Sequence, residues 1–366
     1  MIPSNSAPSS GKPPSMLSIA QRAGVAKSTV SLALRGHPRI SAQQRDRIRS
    51  IATEMGYRTN ALVARLMHEL RSERKQRYIG TLAFINASPL EPSRAQPSSI
   101  DENWQAGAGE RASQLGYTLD SFRLHDPDVR PQRLARILHA RNVQGVVFYS
   151  LDNDSKLENC EAVWEGFPCV SIGTRVRNPP LHFVCNDHYT TALHACDALR
   201  ALGYRRIGLC TVRWLDNVLE HRFVAGYRQA MSLAAEGAEG VELPVFTLHH
   251  PHGTMKRHEE EDGRAFQTWV KKYRPDACLS VHNYVLDWAR RLGLRLPHDL
   301  GVALLDLPKE LRDRVAGMQP RPELEGMAAV DVVIGQILRR EAGVPPFQQG
   351  TLIESSWVPG PTVRTA

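Results

Sequence analysis

Apolar residues in the first sixty positions recur three and four apart and fall into three short blocks. Leu17, Ile19, Ala20 and Ala23 mark the packed face of a first helix, which Gly24 ends because glycine tolerates the positive φ of a tight turn. A second helix is predicted from Ala26 to Leu34, with Val30, Ala33 and Leu34 on its packed side and Gly36 and Pro38 closing it. Ser41 is a candidate N-cap for a third helix. Gln44 is its capping-box partner, and Ile48, Ile51, Ala52 and Met55 form the buried stripe. Two short helices around a glycine turn, backed by a third, make an all-α helix-turn-helix headpiece over 16–57.

From Tyr78 the pattern changes. Strand-length apolar runs (79–85, 143–149, 169–172, 183–185, 206–210, 277–281 and 302–305) alternate with helix-length amphipathic stretches (101–115, 131–141, 188–202, 219–235, 262–273, 283–292 and 324–342). That alternation predicts βαβ units on parallel strands, and so many strands call for two sheets.

Charge sharpens the division. Residues 1–78 hold fourteen Lys and Arg against four acids, a net +10, while the remainder carries −2. A basic module on a nearly neutral body is the footprint of a phosphate-backbone binder. In a helix-turn-helix the start of the second helix enters the major groove. Lys27, Ser28 and Thr29 lie there and can reach base edges, with Ser31 and Leu32 on the outer surface. Arg22, Arg35, His37 and Arg45 are placed to meet phosphates.

Other classes find little support. Residues 1–15 are rich in Pro, Ser and Gly, without the apolar run of a signal peptide, and read as a disordered tail. No apolar stretch is long enough to span a membrane, so a cytoplasmic protein is expected. The six cysteines form no CxxC pair and read as reduced core thiols. His249, His250, His252 and His258 fall around a Pro- and Gly-bearing loop without acids or cysteines at ligand spacing, which reads as surface rather than a metal site. No GxSxG, P-loop, GxGxxG or HExxH motif is present, so no catalytic residue and no cofactor is expected.

The run Ala20-Gln-Arg-Ala23-Gly24-Val25-Ala26-Lys-Ser-Thr29-Val30-Ser31, followed by Ile40-Ser41, Arg45, Arg47-Ile48 and Gly56-Tyr57, resembles the headpiece of the lac-repressor/galactose-repressor family. The chain departs from that pattern at Leu32, where many members carry a guanine-reading arginine. The resemblance implies a DNA-ordered hinge helix followed by a linker over 58–77, with Asn60 as N-cap, Leu66 as a minor-groove wedge and the charged run 71–77 as the tether to the body. Thr59 stands where the family usually has proline.

The body is similar to the same family's sensor, which shares the fold of periplasmic sugar-binding proteins. The matching segments are Ala112…Leu115-Gly116-Tyr117, Asn186-Asp187, Leu202-Gly203-Tyr204, Arg222…Gly226-Tyr227, Leu305-Asp306 and Trp357-Val-Pro-Gly-Pro-Thr. The resemblance implies an effector-binding domain over 78–366, an α/β two-lobed fold whose ligand sits at strand C-terminal ends. Lobe 1 is then 78–187 with 318–343, and lobe 2 is 188–317 with 344–366. Candidate effector contacts are Asn86, Arg175, Arg222, His282, Asn283 and Asp306, with Trp104 or Trp214 as a stacking platform. Arg222 lies four residues before Gly226, where the family's ligand arginine usually lies three before. His282-Asn283 replaces the common Asn-Asp pair.

These readings predict a transcription regulator, a repressor that binds a near-palindromic operator as a homodimer or higher oligomer. A small-molecule effector, a sugar or sugar derivative, would control it. A solute-binding protein of the periplasmic type is the alternative, opposed by the basic headpiece. An enzyme on an α/β fold is opposed by the lack of a nucleophile or cofactor constellation.

Overall fold

The computed structural model describes residues 16–34, 40–55, 78–88, 99–151, 157, 160–236, 241–249 and 258–365. The sequence-expected tail 1–15, the hinge with Asn60 and Leu66, and the candidate phosphate contacts Arg35 and His37 lie outside these residues. The chain divides into two compact units, Met1–Lys75 and Gln76–Ala366.

The first unit holds α1 (Met16–Ala23), α2 (Lys27–Leu34) and α3 (Ala42–Glu54). Ile19, Ala20, Ala23, Val30, Ala33, Ile48 and Ala52 form one buried cluster, with Val25, Leu34, Ile40, Ile51 and Met55 packed on it. Leu17 does not join the packed face. It sits one helical step off the stripe and is exposed. Gly24 stands at φ +66°, and α1 closes through two hydrogen bonds, Val25 N–H to Ala20 C=O (3.0 Å) and Gly24 N–H to Gln21 C=O (3.4 Å). That pair satisfies the orphan carbonyls of the last turn in the Schellman manner. Ser41 caps α3 by accepting from Gln44 N–H.

The second unit runs β1 (Gly80–Asn86), α4 (Ser99–Gln114), β2 (Tyr117–Arg123), α5 (Pro131–Ala140), β3 (Val143–Tyr149), α6 (Glu161–Trp164), β4 (Cys169–Ile172) and β5 (His182–Asn186). It continues with α7 (His188–Ala201), β6 (Ile207–Val212), α8 (Arg213–Val218), α9 (Arg222–Glu236), β7 (Phe246–Leu248), α10 (Glu259–Tyr273), β8 (Ala277–Ser280), α11 (Tyr284–Arg291), β9 (Gly301–Leu304) and β10 (Ala316–Gln319). α12 (Pro322–Arg339), β11 (Gly350–Ile353) and β12 (Ser356–Val358) complete it.

The strands form two six-stranded sheets, ordered β11-β5-β4-β3-β1-β2 and β12-β10-β9-β8-β6-β7. Every pairing is parallel except β10 with β12. Each sheet is buried on both faces, which explains the continuous apolar runs of its central strands. In β1, Leu82 and Phe84 face one cluster with α4 and α12, while Ala83 and Ile85 face the other with α5. In β6, Ile207 and Leu209 face α7 and α9, and Cys210 and Val212 face α10 and α11. All six cysteines are buried free thiols.

The expected lobe boundaries need correction. β11 pairs with β5, so 350–353 belongs to lobe 1, and the last crossing falls between β11 and β12 instead of near 343. β10 stays in the lobe 2 sheet through Gln319, so the preceding crossing follows 319, not 317. Both errors arise at short strands, where four residues carry no readable alternation.

Candidate DNA-reading helix and inter-lobe site

The Gly24 turn sends the start of α2 outward. Lys27 and Ser28 are exposed and Thr29 is half-buried, whereas Val30 and Ala33 on the opposite side anchor the helix to the core. Leu32 is half-buried. Ala26 C=O accepts from both Thr29 and Val30 N–H (2.9 and 3.2 Å), so the helix begins at the polar residues themselves. Arg22 lies 3.8 Å from Glu54, and both side chains are largely in water. An exposed pair at that distance is worth well under about 1 kcal/mol, so the arginine remains available to a phosphate.

In the second unit the parallel strands end on a common edge of each lobe, and the loops that follow carry the polar residues. The richest cluster crosses between lobes. Arg175 and Arg177 lie on the lobe 1 connection between β4 and β5, and Glu220 lies on the lobe 2 turn between α8 and α9. Arg177 Nε donates to Glu220 Oε1 (2.5 Å), Arg222 donates to Oε2 (3.0 Å), and an Arg175 terminal nitrogen lies 3.8 Å from Oε2. The Arg175 and Arg222 guanidiniums each sit over Phe183, 5.9 and 5.8 Å from its ring centre. Arg175 Nε also donates to Gln348 Oε1 (2.7 Å), which binds the 173–181 loop. Burial pushes the Glu220 carboxyl up, but hydrogen bonds from Arg222 and Arg177 outweigh it and leave the group below its ordinary value.

The backbone that presents Glu220 is unusual. Glu220 and His221 both have positive φ (54° and 58°), a region that L-residues enter at a cost of about 1 kcal/mol or more each. The turn is held by His221 N–H donating to Asp216 C=O (2.7 Å) and by the His221 Nδ1 contact with Asp216 Oδ2 (2.7 Å).

A small recess beside the cluster is lined by Gly173, Thr174, Arg175, Cys185, His188, Val218, Leu219, Glu220 and Arg222. His188, at the first position of α7, is 8% exposed and packs edge-on against Phe223. Its Nδ1 has no hydrogen-bond partner among the described residues. Burial, aided by Arg222, pushes its pKa down to about 3, so the imidazole is neutral.

A second cluster is acidic. Trp104, on α4, donates its indole N–H to Glu325 Oε2 (2.9 Å), and its ring lies against Gly173. Burial raises the Glu325 carboxyl to about 7, with Asp306 adding to the rise and the indole opposing it. Asp306, just past β9, is partly exposed, and its apolar surroundings raise it to about 6. Lys309 of lobe 2 pairs with Glu323 of lobe 1 nearby.

The structure thus brings Arg175 and Arg222 together and sets Asp306 and Trp104 around Glu325. Asn86 bonds Tyr149 and the Ser88 backbone. The His282 ring lies tilted against Tyr284 with ring centres 6.2 Å apart, and its backbone bonds the Ser280 hydroxyl, while Asn283 is exposed at the start of α11. Trp214 is half-buried and packs on the lobe 2 core. Of the expected headpiece residues, the Ser31 side chain lies outside the described set. The sequence reading missed Glu220, Arg177, His188 and Glu325. A usable signal existed for two of them. The charged run Glu220-His221-Arg222 directly precedes an amphipathic helix, and His188 directly follows Asn186-Asp187.

Among the described residues no helix is long and apolar enough to cross a membrane, and no group of His, Cys, Asp and Glu side chains is arranged to hold a metal.

Comparison with known proteins agrees with this geometry. Residues 15–60 match the model of bacterial regulatory proteins of the lacI family, and residues 196–363 match a periplasmic binding protein-like domain. The HTH-type transcriptional regulator IpsA of Corynebacterium glutamicum is 28% identical over 367 residues, covering 95% of this chain and 97% of that one. A transcriptional regulator CelR–cellobiose complex superposes with TM-score 0.58 at 20% identity, covering 95% and 99% of the two chains. The lac repressor dimer bound to operator and an anti-inducer superposes with TM-score 0.57 at 18% identity, covering 97% and 100%. The helix-turn-helix and the two-sheet body are therefore those of a transcription regulator and not of an enzyme, and the chain belongs to the lacI family of bacterial regulatory proteins, with a DNA-binding headpiece and a periplasmic-binding-protein-like effector domain.

Proposed function

We propose that the protein is a cytoplasmic repressor that binds a near-palindromic operator as a homodimer and is controlled by a small molecule held between the two lobes of its sensor. The observation that carries the DNA half of this reading is the outward start of α2. There Lys27 and Ser28 are exposed immediately after the Gly24 turn, on a segment of net +10. A two-fold dimer is favoured because one headpiece contacts too little DNA alone, and half-sites one helical turn apart match two-fold protein symmetry. Leu66 and Asn60 remain our candidates for the hinge contacts, and Arg35 and His37 for phosphate contacts.

The effector half rests on the cleft residues Arg175, Arg222, Trp104 and Asp306, joined by Glu220, His188 and Glu325. Polar side chains around an aromatic ring suit a carbohydrate derivative. The CelR relative was solved with cellobiose, which supports the same ligand class here. Effector binding would alter the angle between lobes and so bias hinge order and operator affinity. A gel-shift titration with DNA upstream of the chain's own gene tests the reading. Saturable, salt-sensitive binding with dimer stoichiometry is expected, and absence of binding at low salt by intact dimer overturns it.

A further inference from the structure

Resting on the reading of the cleft as the effector site, we propose that the effector carries an anionic headgroup, a carboxylate or phosphate monoester, and that Glu220 is a built-in competitor occupying that headgroup's place. Three guanidiniums, Arg175, Arg177 and Arg222, converge on the single carboxylate of Glu220. The three arginines and Glu220 sum to +2, His188 beside them is neutral, and the Asp187 carboxylate that caps α7 through Thr190 still leaves the group with a net positive charge of +1. A net positive group of converging arginines with one carboxylate among them attracts a further anion, and arginine forks suit bidentate oxyanions.

The second, independent observation is His188. Its ring is buried, it lines the recess under the arginines, and its Nδ1 lacks a partner among the described residues. A buried imidazole nitrogen without a partner carries a desolvation penalty that an incoming hydrogen-bonding group would relieve. A headgroup oxygen entering the recess would accept a hydrogen bond from that nitrogen in the Nδ1–H tautomer, while the arginines take the remaining oxygens.

Glu220 fits the role of competitor, not permanent fixture. Its turn is held in two consecutive positive-φ residues, a conformation that needs external support. Its partners on the facing lobe are the exposed Arg177 and half-exposed Arg175. Displacement by an incoming anion would release the turn and exchange a tethered cross-lobe ion pair for one made through the ligand. The same cluster would then distinguish empty from occupied cleft.

Thermal-shift and calorimetric titrations of the full chain with inorganic phosphate, D-glucuronate, D-glucose 6-phosphate and D-glucose test the proposal. The Glu220→Gln variant should bind inorganic phosphate about tenfold more tightly than wild type, equivalent to ~1.4 kcal/mol, because its competitor is gone. Arg177→Gln, at an exposed position that should not disturb folding, should weaken the same binding. Glucose 6-phosphate binding better than glucuronate assigns a phosphate headgroup, and the reverse order assigns a carboxylate. Both anions should exceed neutral glucose. Phosphate binding by Glu220→Gln that is unchanged or weaker than wild type overturns the proposal, as does glucose binding as tightly as either sugar anion. Operator binding measured on the same preparations separates the two readings. DNA binding without anion binding sinks this inference alone, and anion binding without DNA binding sinks the repressor reading alone.

Discussion

Trp104 and Glu325 join α4 to α12 through an indole N–H donated to a buried carboxyl (2.9 Å). Burial raises Glu325 to about 7, Asp306 raises it further, and the indole pulls it back, while burial raises Asp306 itself to about 6. Both carboxyls therefore hold protons more tightly in the folded chain than in the unfolded one. Their contribution to stability is complete below the unfolded values of roughly 4 and is lost as pH rises through about 6 and then about 7. For Glu325 the loss is on the order of 3 kcal/mol. The melting temperature of the ligand-free protein is expected to fall between about pH 4 and 7, and Glu325→Gln is expected to flatten that fall. A melting temperature that rises across this interval by the same amount in both proteins would contradict the assignment.

The turn between α1 and α2 offers a test of a single backbone torsion. A Cβ added at Gly24 would meet nothing within 4 Å, so space does not require glycine there. Its φ of +66° does. Gly24→Ala is expected to cost about 1–2 kcal/mol through left-handed strain alone. Hydrogen exchange of amides in 17–34 should accelerate accordingly, while amides of the β6 and β8 strands keep their protection. Unchanged exchange in the headpiece would show that the turn tolerates a side chain.

Arg22 and Lys27 are both cationic but should fail differently when removed. Arg22 sits beside Glu54 on the outer surface and suits phosphate, so Arg22→Ala should weaken binding to every sequence alike and lower the salt slope by about 1. Lys27 opens the reading helix, so Lys27→Ala should cost about 1–3 kcal/mol on the operator and relax discrimination against mismatched sites. Fluorescence anisotropy across a salt series, with operator and scrambled duplexes, separates the two. Equal salt slopes and equal discrimination in both variants would remove the distinction.

What the sequence disclosed follows from where physics imposes a period. Central strands such as β1 and β3 are buried on both faces, so Leu82 to Ile85 and Val146 to Tyr149 stand out as apolar runs. The edge strand β2 mixes Asp120, Ser121 and Arg123 with its apolar positions, because one side meets water, and it escaped notice. β7, β10 and β11 are three or four residues long and too short to show alternation. In the cleft, Arg175 and Asp306 were legible because they follow strand ends, and Arg222 because of its spacing to Gly226-Tyr227. Glu220 was not, since its role depends on two positive φ angles and on arginines more than forty residues away, and neither leaves a local pattern. Glu325 was hidden on a helix whose apolar stripe made that position read as packing.

Gly226 couples the core to the cleft. A Cβ there would lie 2.1 Å from the Tyr189 carbonyl oxygen and 3.1 Å from Ala192 Cβ, so α9 can rest on α7 only with glycine at the crossing. Arg222 occupies the first position of the same helix and Phe223, one residue on, packs against His188. Gly226→Ala must therefore push α9 away from α7, at an expected cost of about 1–3 kcal/mol from overpacking. The shift should carry Arg222 away from Glu220 and His188, so phosphate binding should weaken along with stability. Ala225→Gly is the matching control. It lies on the exposed side of α9, should cost about 1 kcal/mol through helix propensity, and should leave the arginine cluster in place. Thermal melts and phosphate titrations of the two variants decide the matter. Equal phosphate affinities would mean that the helix contact does not position Arg222, whatever it contributes to the core.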